Sequence, residues 1–176
     1  MTRQAVSGSF EYQATATTTL SIGAGVGTGG TLVVPGERRT ISPGWLASAA
    51  YARRLGDGQG PLPFVILGLS LGGSGARTRL ATLPNAGSSP FYAFDFRVGI
   101  TVGKTFLEVL TPYAAARLFA GPVIWAHGGT TSVGTDQNHY QLAAGFVVSL
   151  PRGFDAFAEA APFGERVATF GGGLSF

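Results

Sequence analysis

From Ser9 to Val26 apolar and polar residues alternate, broken only by Thr18 in the apolar series. The even positions read Phe10, Tyr12, Ala14, Ala16, Thr18, Leu20, Ile22, Ala24 and Val26, and the odd positions carry Ser, Glu, Gln, Thr or Gly. A period of two puts the first set on one face of a strand, whereas a helix would mix both sets over its surface. The threonines also favour strand. Similar alternation predicts a second strand from Trp45 to about Arg54 and a third around Val65, Leu67, Leu69 and Leu71. A fourth carries Tyr92, Phe94, Phe96, Val98, Ile100 and Val102 on one face, opposite Ala93, Asp95, Arg97, Gly99 and Thr101. Four more follow at about Phe106 to Trp125, Tyr140 to Leu150, Phe154 to Phe163 and Ala168 to Phe176. In the fifth, Glu108 and Arg117 have opposite parity, so a β-bulge near Thr111 and Pro112 is expected to return both to one face.

Eight strands follow from this reading, with short turns at "GDGQGP", "VGKT" and "PRG" and longer connections at about 27–40, 73–90 and 126–138. The first strand, at about 18 residues, exceeds the roughly 9–11 that cross a bilayer and is expected to project beyond it. The prediction is all-β, an eight-stranded antiparallel up-and-down transmembrane β-barrel. Residues 1–176 form one domain, with 1–8 a flexible N-terminal segment.

Composition narrows the choice of solvent. Charged residues make up 12% of the chain, about half the share usual in soluble domains, while 45% are hydrophobic and 28 are glycine. Yet no apolar run approaches the roughly 18–20 residues of a transmembrane helix. Dispersed hydrophobicity with little charge suits a barrel whose every second residue meets lipid. The chain has no cysteine, so disulfides and thiolate metal sites are excluded. A net charge of +3, scattered along the chain, gives no basis for nucleic-acid binding. "MTRQAVSGSF" contains no apolar core of an export signal, and if the protein is exported that signal is expected to have been removed.

The ending "RVATFGGGLSF" places Phe170, Leu174 and Phe176 on one face of the last strand. With the topology, this resembles the small eight-stranded outer-membrane barrels of Gram-negative bacteria, the OmpA/OmpX-like group. The resemblance covers nearly the whole chain, with Gly172 a mild departure from the apolar series. It implies that Phe170, Leu174 and Phe176 act as an insertion signal read by the outer-membrane assembly machinery. It also implies residence in the bacterial outer membrane, in contact with the lipid bilayer and with lipopolysaccharide, as a monomer or weak associate.

Glu11, Asp95, Arg97, Glu108, Arg117, Asp155 and Glu159 are expected to face the interior as a hydrogen-bonded charge network. A structural plug is the favoured reading and a narrow ion path the alternative. Asp155 and Glu159 stand about 13 Å apart along a strand, too far for a glycosidase pair. Gly25, Gly27 and Gly30 satisfy G-x-G-x-x-G, but no helical period follows, so a strand end is expected in place of a nucleotide site. His127 and His139 flank the third long connection with Thr130, Thr131, Ser132 and Asp136. These are residue types for a lipid A-modifying enzyme, in no recognisable order. No enzyme activity, cofactor or metal site is therefore expected. Tyr12, Trp45, Tyr51, Phe91, Tyr92, Tyr113, Trp125 and Tyr140 are expected at the membrane interfaces. Arg38, Arg39, Arg77 and Arg79 fall in the predicted external loops as candidates for lipid head-group contact. A lipocalin-like soluble barrel is the remaining alternative, disfavoured because Asp95 and Arg97 oppose a continuous apolar face.

Overall fold

The computed structural model describes residues 2–34, 37–56, 58, 61–81, 87–127, 130–135 and 138–175. They form twelve strand segments: β1 (Thr2–Thr15), β2 (Thr18–Val34), β3 (Glu37–Ile41), β4 (Gly44–Leu55), β5 (Phe64–Leu80), β6 (Ser89–Gly103), β7 (Leu110–Ala120), β8 (Pro122–His127), β9 (Thr130–Thr135), β10 (Tyr140–Leu150), β11 (Phe154–Gly164) and β12 (Val167–Leu174). One 3-10 turn at Pro151–Gly153 is the only helical segment described, and no helix is long and apolar enough to cross a membrane. The strands make one antiparallel sheet that winds around an axis.

Twelve segments amount to nine passes. β3 and β4 lie end to end between β2 and β5, so the ladders β2·β3, β3·β5, β5·β4 and β4·β2 form a closed circuit. The break falls at Ser42 and Pro43, where β3–β4 holds one residue more than β5 between the pairs Ile41–Thr78 and Trp45–Gly75. Proline, which has no N–H to give a ladder, suits this bulge. At the same level β2 bulges against β1, with Gly29 at φ 113, a left-handed conformation that glycine adopts without strain. β7 and β8 likewise form one pass along β6, interrupted at Gly121, and β9 leads into β10.

The ninth pass comes from the beginning of the chain. The long run expected as one strand turns back at Ala16 and Thr17, and β1 pairs with β2 from Thr2–Thr31 to Thr15–Thr18. Residues expected to be a flexible lead-in belong to β1, where Gly8 pairs with Ala24. The predicted long loops are also mostly ladder. β2 and β3 run to within two residues of each other, and β5 and β6 extend to Leu80 and Ser89. These extensions raise the wall at one end, called here the upper end. At the lower end lie the turns after β1, β4, β6 and β10 and the last residues of β12.

Cross-strand pairing fixes the faces, because paired residues share one. The row Val26, Trp45, Gly75, Tyr92 and the row Ile22, Ala49, Leu71, Phe96 point outward. Leu118, Tyr140, Phe146, Phe154 and Leu174 continue this apolar face. Glu11, Asp95, Arg97, Arg117, Asp155 and Glu159 take the inward parity. Glu108 does not. With Leu107 it occupies a turn at positive φ before β7 begins, closed by the Phe106–Leu110 bridge. The parity conflict with Arg117 therefore disappears without a bulge at Thr111, and Glu108 lies outside the interior network.

Candidate functional site: a cross-braced interior and an arginine rim

Among the described side chains four arginines point inward, and each meets a matched partner. Near the lower end the Arg54 guanidinium lies 4.8 Å from the centroid of Phe64, a buried ring. An added Cβ at Gly103 would come within 2.5 Å of Phe64 Cζ, so the missing side chain makes room for this wedge. Farther up, Arg117 forms a two-pronged bond to Glu159, with Nη1 to Oε1 and Nη2 to Oε2 both 2.6 Å. Arg117 Nη1 also donates to Gln141 Oε1 at 2.7 Å, and Tyr113 Oη donates to Glu159 Oε2 at 3.1 Å. Three adjacent passes are thereby bound through side chains, since these residues come from β7, β10 and β11.

Arg97 carries the network across the interior. Its Nε donates to Asp95, its Nη1 lies 2.9 Å from Glu165 Oε2, and its guanidinium stands 4.8 Å from the Phe119 centroid. Glu165 sits in the turn between β11 and β12 and accepts from Gln141 Nε2 through its backbone carbonyl at 3.3 Å. One residue thus links both clusters. Near the upper end Arg39, 1% exposed, lies 4.8 Å from the Trp125 centroid and pairs with Glu37 at 2.8 Å. Trp125 Nε1 donates to Thr78 Oγ1 at 3.0 Å, and that hydroxyl donates to the Ser89 carbonyl. The acids paired with Arg39, Arg97 and Arg117 give their guanidinium groups acceptors that offset the cost of leaving water, and the ring beside Arg54 adds a cation–π contact.

Of the seven residues expected in the interior network, the structure joins Asp95, Arg97, Arg117 and Glu159. Glu11 lies exposed on β1 opposite Ser21, and Asp155 faces inward opposite Ser149 and Gly173. Neither forms an ion pair among the described residues. Arg39, Arg54, Gln141 and Glu165 belong to the interior contacts although no alternation or spacing in the sequence marks them. Phe91, Tyr113 and Trp125, expected in the interfacial belt, all take inward parity. The signal was present for Phe91, since it neighbours Tyr92 and the two cannot share a face.

On the outer surface Arg38, Arg77 and Arg79 are strand residues rather than loop residues. Arg38 and Arg79 are exposed and lie above the inward pair Ile41 and Thr78, and Arg79 pairs with Thr40. Arg39 has the opposite parity and leaves the group. One outward position below Arg77 runs the row Trp45, Gly75, Tyr92, in which Trp45 lies across Gly75. A hollow of about 460 Å³ opens beside Arg79, between residues 28–30, 40–43 and 79–81.

Phe170 and Leu174 stand outward and exposed on β12, and Phe176 lies outside the described residues. Gly25, Gly27 and Gly30 lie in β2, where Gly25 packs against the Val6 carbonyl and Ser7, with no helix after them. His139 Nδ1–H donates to the Phe119 carbonyl at 3.3 Å. The His127 side chain and Asp136 lie outside the described residues. Among the described residues no three His, Cys, Asp or Glu side chains gather as a metal site. No family model, no curated protein and no solved structure matches the chain.

Proposed function

We propose that the chain is an integral outer-membrane β-barrel protein of the OmpA/OmpX-like kind, with a structural or interaction role, no enzymatic activity and an interior filled by side chains. The wall would cross the membrane with the eight passes from β2 to β12, and β1 adds a ninth against β2. The observation that carries this reading is the partition of charge. Across the outward strand faces the described residues are apolar or small between the two rims, while Asp95, Arg97, Arg117 and Glu159 are bonded to one another inside. A soluble barrel reverses that arrangement, because water must solvate its outer face. Lipid requires it, since strands cross a bilayer with apolar residues outward and polar ones inward. Insertion through the assembly machinery, with Phe170, Leu174 and Phe176 as its signal, belongs to the same proposal. The test is electrophoretic. Detergent-folded protein should migrate differently on SDS gels before and after boiling, and identical migration together with solubility in detergent-free buffer would refute the membrane reading.

A further inference from the structure

We infer that Arg38, Arg77 and Arg79 form a binding surface for the phosphate groups of a membrane amphiphile, which in an outer membrane is the lipid A part of lipopolysaccharide. The inference rests on the membrane reading above and names the lipid that the outer face would select.

Three observations support it. The arginines share one outward patch: Arg77 and Arg79 are two residues apart on β5, roughly 6.6 Å along the strand, and Arg38 lies diagonally across on β3. Guanidinium groups at this spacing can grip one phosphate together or two phosphates in turn, each with paired N–H donors.

Among the described residues nothing acidic competes for them on that face. Asp95, Asp155 and Glu159 face inward with Glu11, Glu37 is paired to Arg39, and Glu108 and Glu165 sit in turns. Among the described residues none of the three arginines forms an ion pair.

Below the cations the surface changes character at once. Trp45 and Tyr92 lie on the next outward row, and Ala49, Leu71 and Phe96 lie farther down. A free anion gains nothing from that apolar wall, whereas a phosphorylated lipid meets both halves. Aromatic rings mark the depth at which head groups begin, and Arg77 and Arg79 stand just above it.

The experiment is a titration of folded protein in detergent, read by native mass spectrometry. The probes are diphosphoryl lipid A, its fully dephosphorylated form and inorganic phosphate. Wild-type protein should bind diphosphoryl lipid A, and the variant R38Q/R77Q/R79Q should bind it at least about tenfold more weakly, as expected when several charge-assisted contacts are lost. R53Q, which removes an outward arginine at the lower end beside Leu67, should leave binding unchanged. Dephosphorylated lipid A should bind wild type no better than the phosphorylated form binds the triple variant. Equal binding by wild type and triple variant would overturn the inference, as would equal binding of the two lipids or displacement of lipid A by equimolar inorganic phosphate. Wild-type protein and both variants must show the heat-dependent gel shift. Loss of that shift in wild type counts against the membrane reading itself, while a retained shift without lipid discrimination counts against the arginine surface alone.

Discussion

Glu159 is where the interior is most tightly cross-braced. Its two carboxylate oxygens receive both prongs of Arg117, and one also receives the Tyr113 hydroxyl. Truncation by Glu159→Ala removes those acceptors and leaves a partly enclosed guanidinium with only Gln141 from its original partners. The expected cost is about 1–3 kcal/mol, the range for stranding polar donors away from water, because the Arg117 side chain retains some exposure. Urea unfolding of vesicle-inserted protein, followed by tryptophan fluorescence, measures it. The double change Arg117→Met with Glu159→Leu should cost less than Glu159→Ala alone, since it removes the charge together with its partner. If the double variant is the less stable, the pair stabilises the wall by more than mutual neutralisation.

Across a strand, the outward face can be tested by depth. Leu69 lies midway along β5, paired with Tyr51 and Val98, whereas Leu55 ends β4 at the lower rim. In a membrane Leu69→Arg should cost about 2–4 kcal/mol and Leu55→Arg about 0–1 kcal/mol, because an arginine near the interface can keep its charge in water. Unfolding of both variants in lipid vesicles decides it, and equal costs would mean that the face does not meet a depth-dependent solvent. Period-two patterning made this face legible from sequence, identifying every outward residue of β10 and every one of β6 but Pro90. It failed at the first hairpin for a definable reason. Even-numbered residues pair with even-numbered ones there, Phe10 with Ile22 and Tyr12 with Leu20, so alternation runs through the turn unbroken. The turn itself contains Ala16 and Thr17, with no glycine, proline or asparagine. It is held by hydrogen bonds from the Gln13 side chain to the Ala16 carbonyl and from Thr17 N–H to the Thr15 hydroxyl. The partners of the interior charges were hidden for another reason. Glu165 and Arg97 meet across the interior, and no spacing along the chain records that distance.

For the whole molecule, nine passes have a consequence that eight would not. β1 and β12 both run from the upper end to the lower, as the pairs Thr2–Thr31 and Phe154–Leu174 require. Among the described residues β12 pairs only with β11 and β1 only with β2. In lipid, two open edges are untenable, since each unsatisfied backbone group costs several kcal/mol. Direct closure of this wall therefore calls for a parallel seam, somewhat weaker per residue than an antiparallel one but able to satisfy both edges. Inward positions on the two strands supply the test. Paired cysteines at Ser9 and Thr169, the higher pair, and at Gln13 and Gly173, the lower, each four residues apart along its strand, should form disulfides within one chain after folding into vesicles. The crossed pair Ser9 with Gly173 should not. Crosslinking of the crossed pair would mean that the edges meet in the opposite sense, and links only between chains would mean that a second copy closes the wall.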